Sequence, residues 1–140
     1  MFTASSAFST ETERNVTRAL VMIGMHLAAA IVHGAAHEHY EIPMEPWQKV
    51  FFYAVILIAP PVAGVLLWRG SLRAGAWLLL VVMGGSLLFG MTFHFLLLGP
   101  DHVSSVNMQG WGVTFQVTAF LLAVTEVLGM TAALRLLRAT

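Results

Sequence analysis

The sequence predicts an all-α integral membrane protein, a four-helix bundle with both termini in the cytoplasm. Three observations predict it. Hydrophobic residues fill 58% of the 140 positions, and mean hydropathy is +0.79. Charged residues are 10% of the chain, against about 25% in an ordinary soluble domain. Four apolar stretches approach the ~20 residues that a helix needs to cross a hydrocarbon core about 30 Å thick.

The same numbers exclude other classes. A small soluble globule cannot hide this much apolar surface, and disorder requires low hydrophobicity with high net charge. Net charge is zero and the basic residues are scattered, so no nucleic-acid partner is expected. The absence of cysteine removes disulfides, zinc–thiolate sites, iron–sulfur clusters and thiol nucleophiles. Neither a G-x-S-x-G elbow nor a phosphate-binding glycine loop is present. The apolar runs are too long, and alternate too little, for barrel strands. The length allows one domain, residues 1–140.

The first span is expected over residues 18–39. Thr10 followed by Glu13 reads as a capping box, which would start this helix in water ahead of the bilayer. The second span, 48–68, contains Pro60-Pro61, which should kink it and free carbonyls around Ile56 and Leu57. Gly70, Ser71 and Gly75 mark a short turn into the third span, 76–98. Gly99-Pro100 ends that span, and Ser104, Ser105, Asn107 and Gly110 make the next loop polar. The fourth span covers 112–134.

Orientation follows from the basic residues. Arg14, Arg18, Arg69, Arg73, Arg135 and Arg138 fall on one side of the four spans, and only Lys49 on the other. Such a bias puts the arginine side, with both termini, in the cytoplasm. Trp47 and Trp111 then fall at the outer interface and Trp68 and Trp77 at the inner one, as amphipathic rings prefer. No removable signal peptide is expected, because the first thirteen residues hold no Lys or Arg. The expected location is the cell (inner) membrane, with the lipid bilayer as the main partner.

Six histidines in so apolar a chain require an account, since ionisable groups in a bilayer are expensive. In this topology all six lie at the midplane or further out. His26, His33 and His37 share a stripe with Met22, Ala29 and Ala30 on the first span. Met83, Ser86, Gly90 and His94 form a stripe on the third, and Gln116, Ala119, Ala123, Glu126 and Met130 on the fourth. Small residues with an occasional polar one characterise buried faces of membrane helices, so the three stripes should face each other. A rise of about 1.5 Å per residue puts His26 level with Glu126 near the centre, and His33 level with His94 further out. His37, His39, Asp101 and His102 fall at the rim.

The primary expectation is a transition-metal site of His33, His37 and His94, with Asp101 and His102 as rim partners. His33 and His37 are one helical turn apart, so their imidazoles can reach one ion, and imidazole with carboxylate suits Zn, Cu or Fe. Met44 and Met108 are candidate soft ligands for Cu⁺. The run His33-Gly34-Ala35-Ala36-His37-Glu38-His39 resembles a histidine box of membrane di-iron hydroxylases and desaturases. Those enzymes use more histidines than are present here, so their activity is not carried over. A second reading is haem b, with His33 and His94 as axial ligands from two helices. That reading resembles small four-helix cytochromes b in this geometry alone. A third is an accessory subunit of a larger membrane complex, or a homo-oligomer, whose histidines bond between helices. His26 and Glu126 are expected to form a deeper proton- or ion-holding pair.

Overall fold

The computed structural model describes residues 4–140, with side chains from Thr10 onward. Among the described residues there are four long helices and no strand. Helix α1 covers Ala4–His39, α2 Pro46–Trp68, α3 Leu72–Leu96 and α4 Trp111–Ala139. All four are long and apolar enough to cross a membrane.

The expected helix start at Thr10 is corrected: α1 already runs from Ala4, so Thr10 lies inside the helix. Neither glycine nor proline stands between Ala4 and Thr10 to interrupt it. Helix α2 opens on Pro46, whose missing N–H is harmless in a first turn. There Gln48 Oε1 accepts the Glu45 N–H at 2.7 Å.

The proline pair shapes α2 through a π-helical stretch, Phe52–Ile58, in which hydrogen bonds reach five residues back. The Ala59 N–H bonds to the Ala54 carbonyl in this way. Helix α3 has a matching stretch at its end, Met91–Leu96. Both widened segments lie toward the end of the molecule that carries the histidines.

Helix α4 packs along α1 and along the Leu72–Gly90 part of α3, while α2 packs on α3. Helix α1 meets α2 mainly through Ala59–Trp68. Toward the arginine end the four helices close on an apolar core that includes Ile23, Leu67, Leu79, Met83 and Leu136. Near the turn between α2 and α3, a Cβ on Gly75 would lie 2.8 Å from Leu67 Cγ, so glycine permits this crossing. Toward the histidine end, the backbone of the π-helical stretch of α3 stands away from α4, and the rings of His94 and Phe95 reach across to Phe115 and Phe120. A cavity of about 330 Å³ lies there among the four helices.

Candidate metal centre

Three histidines line this cavity from two helices. His33 and His37 come from α1, and His94 from the π-helical end of α3. All three are buried. Each can offer one nitrogen to a group in which the three nitrogens lie within 4.8 Å of one another. The rings sit in edge contact, with centroids 5.1 Å apart for His33–His37 and 4.8 Å for His33–His94. Phe115 of α4, itself fully buried, packs against all three at 4.7, 5.3 and 5.6 Å.

Hydrogen bonding engages one ring nitrogen of His33 and one of His94. Thr118 gives its hydroxyl proton to the Thr114 carbonyl at 2.7 Å, with Phe115 O at 3.1 Å. Its oxygen therefore accepts from His33 Nδ1–H at 2.9 Å. That leaves Nε2 of His33 as a buried lone pair without a hydrogen-bond partner. His94 donates from Nδ1 to the Asp101 carbonyl oxygen at 3.0 Å, which leaves Nε2 unprotonated. His37 Nε2 lies 2.8 Å from Asp101 Oδ1, and its buried Nδ1 has no partner. A histidine held at one nitrogen by a carboxylate, carbonyl or hydroxyl, with the other nitrogen bare, has the form of an oriented metal ligand.

Asp101 ties the group together. Its Oδ1 is 2.8 Å from His37 Nε2 and 3.1 Å from His94 Nδ1, but neither ring N–H points squarely at it. Both rings nonetheless set a polar nitrogen against the carboxylate. Burial alone would push the Asp101 carboxyl up; the two imidazoles outweigh it and hold the group below the usual carboxylate range.

The remaining expected residues are placed as follows. His102 turns away from the group. Its Nδ1 meets the Ser104 backbone N–H at 3.1 Å and the Ser104 hydroxyl at 2.7 Å, and its Nε2 reaches the Phe95 carbonyl at 3.3 Å. With both nitrogens engaged, it caps the short Val103–Ser105 turn. His39 is exposed and stacks on Trp111. Met44 lines the cavity, whereas Met108 is exposed and does not.

The axial haem pairing of His33 with His94 does not fit. Two ligands on one iron need a porphyrin plane between them, with bonds of about 2 Å on either side. Here the two rings touch edge to face, and His37 lies against both. A small ion fits between such rings. At metal–nitrogen bonds of about 2.0–2.1 Å the three nitrogens would draw in from their present separations.

Deeper in the bundle, His26 Nε2 meets the Ile56 carbonyl at 3.2 Å. Its Nδ1 is 3.9 Å from Glu126 Oε1, too far for a direct hydrogen bond. The sequence pointed to carbonyls around Ile56, to the levels of both pairs and to the facing stripes. It did not point to Thr118 or Phe115 as supports of the triad. A threonine and a phenylalanine on an apolar helix carry no signal until their neighbours are known.

Fold and site together define an all-helical protein with four candidate membrane spans and a buried three-histidine group able to hold a metal ion. Compared with family models, curated proteins and solved structures, the chain has no match.

Proposed function

We propose that the chain is a multi-pass membrane protein that binds one transition-metal ion on His33, His37 and His94, with Asp101 as the carboxylate partner. The observation that carries this reading is the convergence of three imidazoles, two of them hydrogen-bonded through one nitrogen and the third set against the Asp101 carboxylate. Buried polar atoms without partners are rare, so bare His33 Nε2 and His37 Nδ1 call for an occupant. Three nitrogen ligands beside a carboxylate suit Zn²⁺, Cu²⁺ or Fe²⁺. Three protein ligands also leave a coordination position open toward the cavity, as working rather than purely structural sites do.

The arginine bias supports a membrane orientation in which both termini are cytoplasmic and the metal centre opens outward, in the cell (inner) membrane. The lipid bilayer is then the partner of the exposed apolar faces. Reporter fusions at Thr140 test this: a cytoplasm-dependent fluorophore should be active and a periplasm-dependent phosphatase silent.

Elemental analysis of protein purified without added metal tests the site. We expect Zn, Cu or Fe at about one equivalent per chain, lost in the His33→Ala and His94→Ala variants, and no Soret band. Metal-free protein that co-purifies in fixed ratio with other membrane subunits would replace this reading with the accessory-subunit one.

A further inference from the structure

The cavity extends beyond the histidines, and its inner end carries polar groups for which the metal has no use. Ser86 and Glu126 line it, and His26 lies behind Glu126. All three are at least nine-tenths buried. His26 Nδ1 and Ser86 Oγ have no hydrogen-bond partner. The contrast with nearby hydroxyls is informative. Thr118, Thr125 and Thr131 all bond back to a carbonyl of their own helix, whereas Ser86 does not. An unpaired buried polar group costs about 1–3 kcal/mol, so two such atoms beside a buried carboxyl mark a place built for an occupant.

The groups that face the cavity say what the occupant must offer. Ser86 has a hydroxyl proton to give, and the Glu126 carboxyl has oxygens that accept. His26 stands behind them, its Nε2 donating to the Ile56 carbonyl and its Nδ1 turned toward Glu126. A ligand hydroxyl answers both lining groups, accepting from Ser86 and donating its one proton to Glu126. Between this polar floor and the triad the walls are apolar, with Phe52, Phe89, Leu57 and Leu122 among them. Seven residues of α1 separate His26 from His33, roughly 10 Å at the helical rise. A cavity of this size is at the lower end for small-molecule sites. A charged ligand would be expensive at this depth.

The seams between helices indicate the route in. Between α3 and α4 the rings of Phe95 and Phe120 are in contact at 5.0 Å. Between α1 and α2 the backbones make few close approaches along Pro46–Phe51, and the lining residues Ile31, Ala35, Lys49 and Tyr53 are exposed.

We propose that the cavity binds a lipid-soluble phenol, which enters sideways between α1 and α2 and sets its hydroxyl against Ser86 and Glu126. The inference uses the same cavity as the metal centre but does not require the metal. It is tested on purified protein stripped with a chelator, using 4-hexylphenol and hexylbenzene as probes. The phenol should raise the thermal midpoint saturably, and hexylbenzene at equal detergent loading should not. Ser86→Ala, which removes a hydroxyl without a partner and leaves the fold intact, should weaken phenol binding about three- to tenfold. Glu126→Leu should weaken it further than Glu126→Gln, which keeps a hydrogen-bonding group. Equal stabilisation by both probes, by neither, or unchanged binding in Ser86→Ala would overturn the proposal. A metal titration of the same samples reports on the triad separately, so one reading can fail while the other stands.

Discussion

His26 donates from Nε2 to the carbonyl oxygen of Ile56, 3.2 Å away, and this carbonyl has no donor from its own helix in either register. An α-helical bond would come from position 60 and a π-helical bond from position 61, and both are proline. The imidazole thus replaces a backbone donor that the sequence removes twice, and links α1 to α2 at the depth where α2 is widened.

The relationship predicts a coupling. His26→Ala should cost about 1–3 kcal/mol more than its packing loss, because it strands a buried carbonyl. In a Pro60→Ala/Pro61→Ala background the helix supplies its own N–H, and that extra cost should shrink. A double-mutant cycle by denaturant titration in mixed micelles checks this, with a coupling energy of about 1 kcal/mol expected. Strict additivity would remove the donor role from His26.

Much of this arrangement is legible in the chain because helical periodicity and depth are both linear in residue number. His33 and His94 belong to different helices, yet counting residues from the span ends puts them at one level, and their rings touch. His26 and Glu126 follow the same rule. What cannot be counted is the conformation of the loop between α3 and α4. Asp101 and His102 are neighbours with similar ligand chemistry, but one faces the triad and the other turns to the Phe95 carbonyl. That choice depends on how the 99–110 segment folds back, which periodicity does not encode. The π-helical stretches escape sequence reading for a related reason. They shift register by one residue, and the apolar pattern tolerates the shift.

Anchoring of the triad yields a prediction on affinity. Thr118→Val removes the acceptor that keeps the proton on His33 Nδ1, so Nε2 is no longer reserved for a metal. Loss of such an outer partner costs about 10–100-fold in metal affinity. Competition with a chromophoric chelator should show a loss in that range for Thr118→Val, and for Asp101→Asn. Thr118→Ser should restore binding, because its hydroxyl can make both bonds. A serine variant as weak as valine would mean that the threonine acts through its methyl packing.

The Asp101 carboxyl gives a pH dependence whose sign is fixed. In the folded protein it is held below its ordinary range by His37 and His94 against the effect of burial. The unfolded chain, at about 3.9, therefore binds a proton more readily than the folded one. The contribution of this carboxylate is complete above the unfolded value and is lost as pH falls through it toward the folded one. For metal-free protein, the difference in thermal midpoint between wild type and Asp101→Asn should not close between pH 7 and 5. It should narrow below about pH 4. A gap that closes already at pH 6 would assign the effect to another group.

Two glycines test how tightly the loop over the triad is held. Gly112 opens the first turn of α4 with the Asn107 carbonyl oxygen and Oδ1 packed against it, leaving no room for a Cβ. The same loop is tied down by Tyr40, whose hydroxyl reaches Asn107 Oδ1 at 3.1 Å, and by Gln116, which donates to the Val106 carbonyl at 3.0 Å. Gly112→Ala must displace either this loop, which carries Asp101, or the turn that leads to Phe115 and Thr118. It should cost about 1–3 kcal/mol in stability and weaken metal binding along with it. Gly24, by contrast, lies inside α1, and a Cβ there would meet nothing within 4 Å. Gly24→Ala should be neutral or stabilising by up to about 1 kcal/mol, with metal affinity unchanged. Thermal unfolding and chelator competition on the two variants, run in parallel, separate a general helix effect from the specific clamp that presents Asp101 to the histidines.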